Sequence, residues 1–259
     1  MSTVPILEAR GLTRKFGGLT AVNEVDLKVN DNEVVGLIGP NGAGKTTLFN
    51  CIAGSMPPTS GTVAFQGKDC TGFAAHKMAR LGVTRTFQIT SIFPAMSTFD
   101  NVRAATFRTT SKGWVPALFH TPGYREQEAA VVEKVYEILD FVHLGERAHF
   151  PADALSYGEH RRLEIAIALA ADPKLLLLDE PAAGMNPEEG QKLVGMINDI
   201  RGRGVAVLLV EHHMRVVMGV CDRVVVIDHG VKIAEGAPRE VADNPDVIRV
   251  YLGREQVSA

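Results

Sequence analysis

Gly39-Pro40-Asn41-Gly42-Ala43-Gly44-Lys45-Thr46-Thr47 matches the phosphate-loop pattern G-x-x-x-x-G-K-[ST]. Its flanks agree with it. Glu33 to Ile38 reads as a buried strand, and Lys45 to Ile52 reads as the helix that follows. Phosphate needs this arrangement: glycines let the backbone fold back so that several N–H groups point inward, and the helix start adds unpaired donors and the positive end of its dipole. Lys45 would reach the β- and γ-phosphates of a nucleoside triphosphate, and the Thr46 hydroxyl would hold Mg²⁺. The plainer alternative is a glycine-rich turn before an ordinary helix. It has to treat the agreement of strand, loop and helix as an accident.

Composition bounds the rest. The 259 residues can bury a sizeable core in one or two domains. A net charge of −3 argues against a general nucleic-acid binder. Cys51, Cys70 and Cys221 are scattered, with no C-x-x-C, so neither a disulfide framework nor a zinc finger is expected. Met1 to Arg10 lacks a basic region followed by an apolar core, so no signal peptide is expected. No apolar run approaches ~18 residues, so a role at a membrane would be that of a peripheral partner.

Outward from the loop, the chain reads as α/β. Ile6 to Phe16 and the alternating Ala21 to Val29 are strands, and Ser60 to Lys68 is a strand and turn. They imply a small antiparallel sheet beside the nucleotide core. Leu81 to Phe87 reads as a short strand ending at Gln88. Ser97 to Phe107 and Glu126 to Leu139 read as helices, joined by Ser111 to Arg125, a loop holding Trp114, Phe119 and Tyr124. That loop either packs on its own helices or offers an interaction surface. Arg161 to Ala171 is an apolar helix. Leu175 to Asp179 and Val205 to Val210 are continuous apolar runs, the mark of parallel strands buried on both faces. Pro187 to Arg201 is a helix, Val224 to Asp228 and Val231 to Ala234 form a hairpin around His229-Gly230, and two short helices end the chain.

Three further positions carry chemistry. Asp179 and Glu180 close an apolar strand, where a carboxylate beside a phosphate loop can hold the metal and the next acid can polarise water. His212, at the end of Val205 to Val210, is placed to meet a γ-phosphate, although a lone histidine is more often structural and His213 stands beside it. Ser156-Tyr157-Gly158-Glu159 precedes a helix, and a hydroxyl, a flexible backbone and a helix start together bind anions. It lies just ahead of the Asp179 strand, too far from the phosphate loop to share one nucleotide within one chain. Two subunits set head to tail, each lending Ser156 and Gly158 to the other's nucleotide, resolve this.

Loop Gly39 to Thr46, Gln88, Leu155 to Glu159, Leu175 to Glu180 and His212 occur in the order of an ABC transporter ATP-binding subunit, and the chain resembles that family over nearly its whole length. The resemblance implies a P-loop NTPase (RecA-like) parallel-sheet core, with an antiparallel β subdomain and an inserted α-helical subdomain. About 1–87 and 156–259 would form the core with its β subdomain, about 88–155 the helical subdomain, and about 236–259 the C-terminal helices. Phe16 would stack on adenine, Gln88 would touch Mg²⁺ and couple the γ-phosphate to a membrane subunit, Glu180 would be the general base, and His212 the switch histidine. Gly39, Pro40, Asn41, Gly42, Ala43, Gly44, Lys45, Thr46 and Thr47 would bind the nucleotide. Thr46, Gln88 and Asp179 would hold the metal. Ser156, Tyr157, Gly158 and Glu159 would face the partner's ATP, and Gly184-Met185-Asn186 would be the inter-subunit loop.

Within the family, Leu155 to Gly158 with Arg161 to Ala166, Glu180 to Pro187, Glu211-His212 and the tail Asn244 to Gly253 are similar to the high-affinity branched-chain amino acid transporter ATPases. The segment around Trp114 resembles the longer of the two ATPases of those systems. The chain departs from the family at Tyr157 (usually glycine) and Glu159 (usually glutamine), and from the branch at His213 (usually aspartate). The resemblance implies a peripheral subunit at the cytoplasmic face of the inner membrane. Its partners would be two membrane-spanning permease subunits, a second and different ABC ATPase, and an extracytoplasmic binding protein, with no nucleic acid. Rival readings are importers of urea, amides or aromatic acids, a lipopolysaccharide-type exporter, and a soluble ABC ATPase acting on nucleic acid. A GTPase would need an N-K-x-D motif, which is absent from the sequence.

Overall fold

The computed structural model describes residues 4–86, 92–110 and 122–255, with side chains outside the description at 107–110, 122–125 and 252–255. The chain divides into two compact units, residues 1–83 with 174–259, and residues 84–173.

The first unit is built on two sheets. One is antiparallel, of order β2-β1-β4-β5, with β1 at Leu7–Phe16, β2 at Leu19–Val29, β4 at Ser60–Phe65 and β5 at Lys68–Asp69. The β1–β2 hairpin turns at Gly17-Gly18, and its register slips between Ala9 and Leu12, the kind of bulge that bends a strand. The other sheet has the order β10-β9-β3-β8-β7-β6. Here β3 (Val34–Ile38) lies between β8 (Ala206–Val210) and β9 (Arg223–Asp228), parallel to both, and β7 (Leu175–Asp179) continues the parallel set beyond β8. The strand β6 (Val83–Arg85) lies at one edge, and β10 (Val231–Gly236) pairs antiparallel with β9 at the other. Every residue of β3, β7 and β8 is buried, which is why the sequence runs apolar without alternation there.

Helix α1 (Lys45–Ile52) buries Leu48, Phe49 and Ile52 in a core shared with Leu12, Leu27, Leu37 and Leu208. Helices α2 (Ala75–Leu81), α6 (Pro187–Gly202), α7 (Met214–Val220), α8 (Pro238–Ala242) and α9 (Pro245–Glu255) complete the unit. Leu81, expected to open a strand, instead ends α2, and Gly82 at φ 107° turns the chain into β6. Phe87 and Gln88 lie outside the described residues.

The second unit is helical, with α3 (Thr98–Thr110), α4 (Pro122–Phe141) and α5 (Tyr157–Ala170). Asn101 is almost fully buried and ties the entry loop down: its carbonyl accepts from Phe93 N at 2.8 Å and its amide donates to Phe93, Met96 and Ser97 carbonyls. Helix α5 packs on α3 and α4. It therefore belongs to this unit, which runs to Pro173, whereas the sequence reading began the second part of the core at 156. Pro122 to Arg125, read as loop, form the first turn of α4, proline being tolerated at a helix start. Trp114 and Phe119 lie outside the described residues. No helix among the described residues is long and apolar enough to cross a membrane.

All three cysteines are free and buried. Cys221 fills the space that Gly36 leaves, since a Cβ there would lie 2.8 Å from its sulfur. Burial pushes the Cys70 thiol up to about 11 and the Cys221 thiol up to about 12. A thiolate is thus disfavoured in the folded state. Their contribution to stability is whole below the ordinary value of 9.0 and is lost as pH rises from there through about 12. Iodoacetamide at neutral pH is expected to leave Cys70 and Cys221 unlabelled in the native chain and to label them in denaturant, read by mass spectrometry.

Candidate functional site

Strand β3 delivers the chain into the loop at Gly39, and Gly44 caps α1 at φ 100°, ψ 3°. The loop is closed by Ala43 N donating to Pro40 O at 3.1 Å and by Leu48 N donating to Gly44 O at 2.9 Å. Gly230, in the β9–β10 turn, donates to Ala43 O at 2.9 Å and accepts from Asn23 N at 2.8 Å, so the loop is held from outside as well. Gly44 is required twice over. Its φ lies in the left-handed region, and a Cβ would lie 2.3 Å from Ala21 O. Gly42, at φ 81°, has open space around the same position.

Lys45 is 7% exposed, and its ammonium donates to Gly39 O at 2.6 Å and Pro40 O at 2.9 Å. Asn41, Gly42 and Thr46 are exposed and Thr47 is half-buried. Phe16 ends β1 with 44% of its surface exposed, and the Arg14 guanidinium lies 4.8 Å over its ring. An exposed ring beside a cation at a strand end offers a flat apolar face to a ligand.

Across the same sheet, β7 and β8 end side by side, Asp179 opposite Val210. Asp179 is 8% exposed. Glu180 follows at φ 47° with its N–H donating to Val210 O at 2.8 Å. A non-glycine residue in that region costs roughly 1–3 kcal/mol, and such residues concentrate at functional sites. The bend leaves the Glu180 side chain part-exposed, with its Oε1 3.8 Å from His212 Nδ1. Glu180 and His212 are thus brought together, with Asp179 one residue before Glu180 at the end of β7.

Glu211, to which the sequence reading gives no role of its own, ties the site together. It is fully buried, and its carboxylate accepts from Ala182 N at 2.8 Å on one oxygen, and from His212 N at 2.8 Å and His213 N at 2.9 Å on the other. The histidine segment and the turn after Glu180 are therefore clasped by one side chain. A lone acid between an apolar strand and two histidines gives no pattern to read. Gln88 lies outside the described residues.

In the second unit, Ser156 caps α5. Its hydroxyl accepts from Glu159 N, and the Glu159 carboxylate accepts from Ser156 N at 2.8 Å. This is a capping box, so Glu159 serves the helix start. The S-x-x-E spacing carried that signal. Burial raises the Glu159 carboxyl, but bonds from the Ser156 backbone and hydroxyl and from Arg147 outweigh it, and the group lies below its ordinary value. Tyr157 is exposed, and its hydroxyl accepts from Arg161, whose other arm binds Glu164 at 3.0 Å.

A phosphate loop feeding a helix, with an acid and a histidine at the ends of neighbouring parallel strands, defines a nucleoside-triphosphate hydrolase. The family described as ABC transporter matches residues 22–183, and the chain belongs to that family. Within it, the family described as branched-chain amino acid ATP-binding cassette transporter matches residues 231–257. The chain is 47% identical, over 96% of its length and 98% of the relative's, to the high-affinity branched-chain amino acid transport ATP-binding protein BraF of Pseudomonas aeruginosa. It is 42% identical, with the same coverage, to the corresponding LivG protein of Escherichia coli. Among solved structures, a nucleotide-free ATP-binding cassette from an ABC transporter superposes with a TM-score of 0.83 at 30% identity, covering 96% of this chain and 99% of that one. The chain is thus a nucleotide-binding ATPase cassette.

Proposed function

We propose that this chain is the ATP-hydrolysing subunit of an importer for branched-chain amino acids, acting as a pair of cassettes with membrane-spanning permease subunits. The observation that carries the mechanism is the Glu180–His212 pair at 3.8 Å, at the ends of β7 and β8, of which β8 adjoins the strand that bears the phosphate loop. On this reading the β- and γ-phosphates draw the Lys45 ammonium away from the Gly39 and Pro40 carbonyls. The loop N–H groups from Gly39 to Thr47 enclose the phosphates, and the adenine lies on Phe16. Glu180 takes the proton of the attacking water, and His212 donates to the γ-phosphate as charge builds on it.

Mg²⁺ fits the residues present. Thr46 is exposed at the helix start and Asp179 ends β7, and a hydroxyl and a carboxylate are hard oxygen donors that suit this ion. Gln88 is a third candidate ligand. When bound, the ion neutralises phosphate charge. Ser156, Tyr157, Gly158 and Glu159 are assigned to the nucleotide of the partner cassette, which makes each site shared and closure dependent on ATP. The partners on this reading are two permease subunits, a second ABC ATPase and an extracytoplasmic binding protein, with the cassette peripheral on the cytoplasmic face.

The test is uptake of labelled leucine, urea and an aromatic acid by cells lacking this chain, with and without its restoration. Loss of leucine uptake alone, recovered on restoration, is the expected result. Loss of urea or aromatic-acid uptake moves the cargo. Normal uptake of all three overturns the import reading.

A further inference from the structure

We propose that His212, His213 and Glu211 form a binding site for a first-row transition-metal cation of the zinc class, and that a cation held there withdraws His212 from hydrolysis. The inhibitory half rests on the role given to His212 above, whereas the binding half does not.

The ligand atoms already stand close to coordination distance from one another. A tetrahedral zinc with bonds of about 2.0–2.1 Å sets its ligands roughly 3.3 Å apart. His213 Nδ1 lies 3.0 Å from Glu211 Oε2, and His212 Nδ1 lies 3.9 Å from the same oxygen. One ligand atom from each of the three residues falls within a common 4.8 Å. The two imidazole rings lie side by side, centroids 4.1 Å apart. Glu180 Oε1, 3.8 Å from His212 Nδ1, is in reach as a fourth donor.

The set is also supported from behind. A ligating carboxylate is strongest when its orientation is fixed by a second layer of hydrogen bonds. Glu211 has that layer in Ala182 N on one oxygen and the His212 and His213 N–H groups on the other. The imidazoles, by contrast, are open: their side chains are 48% and 42% exposed and border a cleft of about 560 Å³ that also touches Asn186, Gln191 and Arg215. A cation therefore meets two part-exposed imidazoles and a buried, preset oxygen. Binding requires one local change: His213 exchanges its Nδ1 contact with Glu211 for the metal and carries its ring proton on Nε2.

Two nitrogens and one carboxylate oxygen favour Zn²⁺, Co²⁺, Ni²⁺ or Cu²⁺ over Mg²⁺ and Ca²⁺, which take all-oxygen shells. The site is thus chemically distinct from the one assigned to Mg²⁺. It also depends on His213, whose Nδ1 is one of the ligand atoms and lies 3.0 Å from Glu211 Oε2. A second imidazole there converts a hydrogen-bonded pair into a chelating trio.

The experiment uses the tag-free chain without nucleotide. Titration with CoCl₂ is expected to give the intense visible absorption of four-coordinate cobalt, displaced by ZnCl₂ at one equivalent per chain. His213→Asn is expected to weaken binding by at least the roughly tenfold to hundredfold that loss of an outer-shell partner alone costs. ATP turnover in Mg²⁺ is then read with and without ZnCl₂, each chain normalised to its own zinc-free rate. Zinc is expected to suppress turnover of the unmodified chain and to spare His213→Asn, a comparison in which zinc captured by ATP acts equally on both. Equal cobalt binding by both chains, or only the faint colour of six-coordinate cobalt, overturns the site. Tight binding in the unmodified chain with turnover unaffected overturns the inhibitory half and counts against the role of His212.

Discussion

A Glu180→Gln chain is expected to bind ATP as the unmodified chain does and to turn it over ~10²–10⁴-fold more slowly, the usual cost of losing a positioned base. Glutamine has the shape of glutamate, and Glu180 is held by its backbone, through the N–H bond to Val210 O and the turn in which Ala183 N donates to Glu180 O. Neither bond involves the carboxylate, so the bend at φ 47° survives the change. What is lost is an acceptor able to take a proton from water 3.8 Å from His212 Nδ1. Hydrolysis alone should fail, and with it the step that reopens a closed pair of cassettes. The expected signature is a stable ATP-dependent dimer on size exclusion, with ATP affinity unchanged by equilibrium binding. Undiminished turnover would remove Glu180 as base. A joint loss of ATP affinity and turnover would mean that the residue shapes the pocket instead.

The second large effect concerns the loop. Gly44→Ala places a methyl group 2.3 Å from the Ala21 carbonyl at a residue with φ 100°. Left-handed strain costs roughly 1–3 kcal/mol and overpacking a similar amount, so the chain should lose roughly 2–6 kcal/mol or open the loop to escape it. Opening the loop moves Ala43, Lys45 and the first turn of α1, and nucleotide binding should disappear. Gly42→Ala is the control. It carries a comparable backbone penalty at φ 81° but meets nothing within 4 Å. ATP binding and thermal unfolding of the two variants, measured side by side, separate collision from strain. Equal behaviour of the pair would show that the Ala21 contact gives way at little cost.

The parallel core was legible because a strand buried on both faces has little room for polar residues, and in β7 the one carboxylate stands at its end. Leu175 to Asp179 and Ala206 to Val210 could hardly be written otherwise. The phosphate loop was legible because its glycines answer a backbone demand that no other residue meets. Helices α2 and α7 were not foreseen. Each has seven residues, too few for a period of 3.6 to declare itself against the strands around it. Leu81 was drawn into a strand reading by Val83 and Phe87, although Gly82 marks the break. Glu211 escaped for a different reason: its partners are backbone N–H groups of Ala182, His212 and His213, and backbone donors leave no trace in residue type. The start of α5 shows the reverse, since the Ser156 and Glu159 exchange is written in the spacing itself.

The lysine of the loop has one more consequence. Its four-carbon stem is threaded into the loop and its ammonium has among its acceptors the Gly39 and Pro40 carbonyls. The rotamer freedom of a lysine, worth about 2 kcal/mol, has therefore been surrendered during folding rather than at the moment of capture. An arriving polyphosphate brings full negative charge to a group that the two carbonyl dipoles hold with partial charge. A ligand without such charge has nothing to offer in exchange and leaves the lysine where it is. Discrimination between a nucleoside and its triphosphate thus begins as a contest over a single ammonium group, settled before any domain moves.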